Sequence, residues 1–254
     1  VTGTGTRTGG TGPAAALRAL HHDRRPGDPL VLPTVWDAAS ARVFADAGFP
    51  ALATPSAGIA ASLGYADGET PADEMFAAIA RIVRAVDVPV TADVEAGYGL
   101  SAGELVGRLA EAGAAGCNLE DSDHATGALR DPQEQADRLA EVRAEAGDAL
   151  VINARIDTFL RGQGDPAAAL ARAHRYAAAG ADCLYPILAP PELLPELAAA
   201  APLPLNAMAR AGGPSPRELG ELGATRITFG GGLQRAATTA LSAVAERLRD
   251  GAGL

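Results

Sequence analysis

The acidic side chains of this chain fall in a pattern that metal chemistry would use. Asp37, Asp93, Glu95, Glu120 and Asp121 each lie just beyond a short apolar run. Five carboxylates at neighbouring run ends would repel one another unless a positive charge sat among them. A hard divalent cation with oxygen ligands meets that need, and Mg²⁺ suits a site of one or two carboxylates, water and substrate. Asp93 and Glu95 are two residues apart and so share one face of an extended strand. The competing reading is that each acid caps a helix or pairs with an arginine.

Other polar residues follow the same rule. Trp36-Asp37 closes the first apolar run, and Ser56-Ala57-Gly58 follows the second. Asp93-Val94-Glu95-Ala96-Gly97-Tyr98-Gly99 and Glu120-Asp121-Ser122-Asp123 follow the third and fourth. The fifth carries Asn153 and Arg155-Ile156-Asp157, and the seventh ends at Asn206. A buried arginine needs a partner, and the fork of Arg155 fits either a substrate carboxylate or one of the acids. Ser56-Ala57-Gly58 can offer consecutive backbone N–H groups to an anion, or form an ordinary turn. His124 lies in the longest polar loop, 121–131, as a mobile acid or base or as a solvated side chain. Cys117 and Cys183 read as core residues. His21, His22 and His174 have no context that suggests a role.

The elements that must position these groups alternate regularly. Strands are predicted at 30–35, 51–54, 88–92, 116–119, 150–154, 183–187, 203–207 and 226–229, each bounded by Gly, Pro or Asp. Continuous apolar runs of this length suit strands covered on both faces. Ala- and Leu-rich stretches at 71–86, 101–112, 132–146, 166–179, 190–199, 215–222 and 233–249 have charges at helical spacing. Thr70-Pro71, Asp131-Pro132, Asp165-Pro166 and Ser215-Pro216 are start signals, a capping side chain before a first-turn proline. Ala47-Gly48, Ala112-Gly113, Ala179-Gly180 and Leu222-Gly223 are the matching stops. Eight such units predict a (β/α)₈ barrel in one domain, 13–254, after a flexible Gly/Thr-rich tail, 1–12; a doubly wound open sheet is the alternative. In a barrel, chemistry sits where strands end and βα loops begin.

Composition narrows the chemistry further. The chain has 254 residues, 48% of them hydrophobic, with 31 acidic against 21 basic residues and a net charge of −10. So acidic a chain is a poor partner for nucleic acid or an anionic membrane surface. Every basic residue is Arg, which removes lysine Schiff-base, lysine-dependent pyridoxal phosphate and Walker-A chemistry. Two cysteines with no C-x-x-C pair argue against a disulfide scaffold or a cysteine zinc site. No apolar run is long enough to span a membrane, and the first residues lack the apolar core of a signal peptide. The expected compartment is the cytoplasm.

Taken in order, several segments resemble the isocitrate lyase and phosphoenolpyruvate mutase superfamily. They are Trp36-Asp37-Ala38-Ala39-Ser40-Ala41-Arg42, Leu63-Gly64-Tyr65-Ala66-Asp67, Asp93 to Gly99, Asn118-Leu119-Glu120-Asp121 and Asn153-Ala154-Arg155-Ile156-Asp157. The third is similar to that superfamily's metal-binding strand, usually Asp-x-Asp-x-Gly-Tyr/Phe-Gly. The resemblance implies a (β/α)₈ barrel whose last helix often swaps between partners in a dimer of dimers. It implies Mg²⁺, or Mn²⁺ in its place, and a small 2-oxo or 2-hydroxy carboxylate substrate. By the same resemblance Asp93 is the principal metal ligand, with Asp67, Glu95 and Glu120 around the metal. Ser56, Ala57 and Gly58 match the segment that binds the substrate carboxylate and oxo group, Arg155 the substrate-contacting arginine, and Trp36 and Asp37 residues lining the pocket.

Two departures mark this chain. Glu95 stands where the second Asp is usual. The loop 121–131 also holds neither the Cys of the lyase motif Lys-Arg/Lys-Cys-Gly-His nor the Lys of the mutase and phosphonopyruvate hydrolase branch. The candidate catalytic groups are therefore Arg155, His124 and Glu120. The candidate substrate-binding residues are Trp36, Asp37, Ser56, Ala57, Gly58, Asn153 and Asn206. The expected function is a Mg²⁺-dependent C–C lyase that forms an enolate and releases pyruvate or glyoxylate, acting as a homo-oligomer. The alternatives are a C–P bond enzyme and a non-catalytic barrel that binds a metal–carboxylate ligand.

Overall fold

The computed structural model describes residues 12–22, 24–123, 126–251 and 253. Among them eight parallel strands alternate with helices: β1 (Leu30–Val31), β2 (Leu52–Ala53), β3 (Val90–Asp93), β4 (Gly116–Leu119), β5 (Val151–Ile156), β6 (Cys183–Pro186), β7 (Asn206–Met208) and β8 (Arg226–Thr228). β2 to β6 lie side by side in chain order, while β8 sits between β1 and β7. Bridges from Thr34 to Ala53 and from Leu184 to Leu205 join the two groups. The sheet therefore closes on itself as the (β/α)₈ barrel that the pattern predicts.

Each predicted run overlaps a strand; β3, β5 and β7 extend one or two residues beyond their runs, and the first ladder is shorter than 30–35. Pro33 has no N–H to continue it. The chain instead turns to β2, where Ala53 N–H donates to the Pro33 carbonyl at 2.9 Å and Val35 N–H to the Ala53 carbonyl at 2.8 Å.

The helices are α1 (Pro13–Ala19), α2 (Ala38–Asp46), α3 (Ser56–Leu63), α4 (Ala72–Val83), α5 (Ala102–Ala112), α6 (Pro132–Ala146), α7 (Pro166–Ala178), α8 (Leu194–Ala200), α9 (Pro216–Glu221) and α10 (Gly232–Arg249). Asp131 and Asp165 cap α6 and α7, and Ser101 and Ser215 close capping boxes with Glu104 and Glu218 on α5 and α9. Thr70 makes no such cap, because Pro71 takes the N-cap position of α4. Helices α1, α2 and α3 lie outside the predicted stretches, although Ala47-Gly48 marks the stop of α2. α3 is short and built mostly from Ala, Ser and Gly, with Ser56, Gly58, Ile59 and Ala60 buried, so it shows no polar stripe for a 3.6-residue period to reveal.

Strand parity sorts the side chains. Ala92, Cys117, Leu119, Ile152, Ala154 and Leu184 pack outward against Ile79, Leu105, Leu109, Leu139, Val142 and Tyr176 of the helical layer. The residues between them point into the barrel and are largely polar: Thr91, Asp93, Asn118, Asn153, Arg155 and Tyr185. Beneath the barrel, Leu17 of α1 packs on Leu30, Ala51, Ala115 and Val151. No described helix is long and apolar enough to cross a membrane. α10 has no buried residue, and its Leu241 and Leu248 are 67% and 51% exposed.

His21, just after α1, is buried under β8. Its Nδ1 lies 2.8 Å from the Leu17 carbonyl, which can only accept, so Nδ1 carries the proton. Burial first, then the Arg226 charge, lowers its pKa to about 3 from 6.5. The unfolded chain therefore binds a proton near pH 6.5 that the folded chain refuses until near pH 3. Stability from this site is complete above pH 6.5 and falls as the pH drops toward 3. His21→Leu should flatten the acid-side fall of Tm across that window. Equal slopes for parent and variant in thermal unfolding would show that His21 does not contribute.

Candidate active site

A cavity of about 250 Å³ opens at the C-terminal ends of the strands. Ser56, Ala57, Asp67, Asp93 and Arg155 line it together with Thr34, Asn118, Tyr185, Met208, Thr228 and Arg235. Its charged lining residues are Asp67, Asp93 on β3, Arg155 on β5 and Arg235.

Asp93 is held by the first residue of α3. Ser56 donates both its backbone N–H (3.1 Å) and its hydroxyl (3.0 Å) to Asp93 Oδ2. Oδ1 receives only a long contact, 3.4 Å, from Glu95 N–H. Ser56-Ala57-Gly58 is thus a helix start, neither a free nest nor a simple turn. Its N-cap is Pro55, which supplies no side-chain cap; the first-turn N–H groups lack intrahelical partners, and Ser56 and Ala57 line the cavity.

Arg155 is clamped from two sides. Its Nε and one terminal nitrogen donate to the two Asp157 oxygens at 2.6 and 3.0 Å, and its other terminal nitrogen pairs with Glu120. Burial alone would lower its pKa, but the charges of Glu120 and Asp157 outweigh burial and keep the guanidinium firmly protonated. Asp157 is fixed in turn by the Ser122 hydroxyl at 2.5 Å. The sequence left open whether Arg155 meets an acid or a ligand; it meets two acids and still lines the cavity.

The loop after β3 stores backbone strain. Glu95 and Tyr98 have φ of 52° and 54°, and the glycines flanking Tyr98, Gly97 and Gly99, have 89° and 70°. Non-glycine residues avoid this region, and such strain collects at functional sites. It places Glu95 so that its carbonyl accepts Glu120 N–H at 2.9 Å. Burial, then the charges of Glu95, Asp93 and Glu120, push the Tyr98 phenol far above its ordinary range. All three acids therefore act on one buried hydroxyl.

The remaining expectations divide. Asp37 is exposed and caps α2, accepting Ser40 N–H at 2.7 Å; it does not line the cavity. Trp36 packs against the core beside Gly58. Asn153 is fully buried below the cavity and donates to Asn118 Oδ1 at 2.8 Å. Asn206 is likewise buried and donates to the Thr228 hydroxyl at 3.2 Å, so it supports a lining residue without being one. Asp121 is tied to Arg172 and Tyr176 at 3.0 and 2.8 Å, a structural role away from the site. His124 lies outside the described residues. Thr34, Asn118, Tyr185 and Thr228 also line the cavity and are not among the expected site residues. The period-two alternation within each strand is the signal that points to them, since they share the inward face with residues deeper in the barrel.

Asp93, Glu95, Asp67 and Glu120 do not form a metal cage. Among the described residues no three His, Cys, Asp or Glu side chains converge closely enough to hold an ion. Glu120 is engaged by Arg155. What remains, the Asp93 carboxylate with one lightly engaged oxygen and Asp67 on the same cavity lining, fits Mg²⁺, which keeps several waters and needs only one or two carboxylates plus substrate.

Closed barrel, strand-end cavity and clamped arginine define a barrel of the kind that carries its chemistry on βα loops. The family model "Phosphoenolpyruvate phosphomutase" matches residues 17–249. The chain belongs to that family, within the isocitrate lyase/PEP mutase superfamily. It is similar to the uncharacterised protein Rv1998c of Mycobacterium tuberculosis (strain ATCC 25618 / H37Rv), 33% identical over 234 residues, 91% of this chain and 88% of the relative. The 2-methylisocitrate lyase of Bacillus subtilis (strain 168) is 31% identical over 169 residues, 63% of this chain but only 55% of that enzyme. A solved structure from Burkholderia cenocepacia J2315, provisionally named a phosphonomutase, has a TM-score of 0.85 and 46% identity, covering 92% of this chain and 99% of its own.

Gly58 contributes by what it lacks. A Cβ there would lie 2.8 Å from Pro55 Cγ and 3.5 Å from Trp36 Cβ. Gly58→Ala gains about 1 kcal/mol of helix propensity but overpacks at a cost of about 1–3 kcal/mol. The expected outcome in chemical denaturation is a net loss of about 1 kcal/mol; a stabilised variant would show that α3 has room to move.

Proposed function

We propose that this chain is a Mg²⁺-dependent lyase that breaks a C–C bond of a small 2-hydroxy or 2-oxo carboxylate and releases a 2-oxo acid such as pyruvate or glyoxylate. The observation that carries this reading is the pairing, in one cavity, of a serine-cradled carboxylate, Asp93, with a doubly clamped arginine, Arg155. The lyase named among the relatives supports it.

The chain's own groups divide the work. Arg155 spends three of its five N–H donors on Glu120 and Asp157, leaving two for a substrate carboxylate. Cleavage beside a 2-oxo carboxylate leaves negative charge on the oxo oxygen. Ser56 N–H is committed to Asp93, so the N–H groups of Ala57 and Gly58 at the α3 start are the ones available to that charge. Burial pushes the Tyr185 phenol up to about 12, so it meets substrate as a neutral hydroxyl. Asp93 would hold Mg²⁺, with Asp67, Glu95 and Glu120 supplying charge around it. The ion supplies Lewis-acid stabilisation of the substrate's carboxylate and oxo oxygens. His124 in the 121–131 segment is proposed as the acid or base that attends the departing fragment.

Partner and compartment follow the same reading. The exposed Leu241 and Leu248 of α10 support a second copy of the chain as its neighbour, in a dimer or tetramer. The two buried, free cysteines suit the reducing cytoplasm.

Two measurements test these assignments. Incubated with Mg²⁺ and hydroxy-diacids, the protein should release a 2-oxo acid, and Asp93→Ala should lower that turnover by about 100-fold or more. Phosphate release from phosphonopyruvate would assign C–P chemistry instead, and full activity of Asp93→Ala would remove Asp93 from the mechanism. In light scattering after size exclusion, Leu241→Glu should shift the oligomer toward monomer; an unchanged mass would place the interface elsewhere.

A further inference from the structure

A single donor-only side chain dictates the orientation of a donor in the active-site floor. Arg226 is fully buried inside the barrel. A guanidinium has five N–H donors and no acceptor, so whatever faces it must accept. One terminal nitrogen lies 3.2 Å from the Asn118 side chain, and that atom must therefore be the amide oxygen, Oδ1. The oxygen is also 2.8 Å from the Asn153 side-chain amide, which must then present its nitrogen. The other terminal nitrogen of Arg226 is 3.4 Å from His21 Nε2, the unprotonated nitrogen given the Leu17 contact at Nδ1. The flipped amide would turn Asn118 Nδ2, a donor, against that first Arg226 nitrogen.

The consequence lies on the other side of the amide. With Oδ1 turned down and accepting twice, Asn118 Nδ2 is turned toward the cavity that Asn118 lines. No hydrogen bond to it is formed among the described residues. Asn118 pairs in register with Asp93 on the adjacent strand, so the donor sits beside that carboxylate, with Arg155 also on the wall. An N–H pair held there at no orientational cost is a ready partner for a ligand oxygen.

We propose that Asn118 is a ligand-binding residue, donating from Nδ2 to an oxygen of the bound carboxylate, and that Arg226 and Asn153 are positioning residues that hold it in that orientation. This rests on the carboxylate-binding reading of the cavity above. The conformational work is done beforehand by groups that never touch the ligand, which is how a preorganised site discriminates.

The test uses oxalate with saturating Mg²⁺ and isothermal calorimetry, with Tm recorded for every variant. Asn118→Asp keeps the shape and gives Arg226 and Asn153 an acceptor, but replaces the upward donor with a carboxylate oxygen. It should bind oxalate about 10- to 100-fold more weakly, the range for a lost hydrogen bond to a charged group, with Tm at or above the parent's. Asn118→Ala should weaken binding in the same direction with a lowered Tm. Arg226→Lys, also donor-only, should bind within about threefold of the parent. Arg226→Gln, which can accept, should lose affinity because Asn118 is then free to flip. Parent-like oxalate affinity in both Asn118 variants would overturn the assignment of Asn118. Equal losses in Arg226→Lys and Arg226→Gln would overturn the orienting role. If the parent binds no oxalate, the carboxylate reading fails, and this assignment fails with it.

Discussion

A guanidinium inside a protein can give hydrogen bonds but never receive them, and this barrel encloses two. Arg226 is buried at the level where β8 starts, and Arg155 sits at the mouth. Each imposes its donor-only character on its surroundings. Around Arg155 the surroundings answer with charge: Glu120 and Asp157 hold it on both sides. Around Arg226 they answer with neutral acceptors, an asparagine oxygen and a histidine nitrogen. Burial lowers the Arg226 pKa, and Cys183, Tyr185 and Cys117 offset the shift only in part. The facing of Asn118 follows from Arg226, and the tautomer of His21, set by the Leu17 carbonyl, presents it with a matching acceptor.

The absence of lysine shapes this network. Arginine carries a planar fork that binds two oxygens at once, and the fold uses it this way repeatedly. Arg155 bridges Glu120 and Asp157, Arg172 bridges Asp121 and Tyr176, and Asp182 is held between Arg18 and Arg143 beneath the barrel. Several acids that seem available for chemistry on the page of the sequence are committed to such forks. Asp121 is the clearest case: burial and Asp157 raise its pKa while Tyr176 and Arg172 pull the other way.

The barrel was legible because continuous apolar runs and αβ joints are local features. Predicted strand 116–119 coincides with β4, and helix 132–146 with α6. The site was legible only in part. Asp93 and Arg155 declared themselves as charges in apolar strands. Asp37 has the same local signature, yet its neighbour Ser40 converts it into a cap; nothing in spacing separates those outcomes. Asn153 and Asn206 were placed at strand ends, where parity puts them on the inward face but one layer too deep. Which layer a residue occupies depends on the stagger between strands, a property of the closed sheet that no single strand records. Ser56 read as loop because a helix of small buried residues has no stripe to show.

The packing of α1 under the barrel separates two duties. With Leu17 seated among Leu30, Ala51, Ala115 and Val151, the base of the barrel is an apolar plug, while the described cavity opens at the opposite end, where the strands finish. The plugged end answers for stability and the open end for ligands, so a change beneath the barrel is felt in folding before it is felt in the cavity.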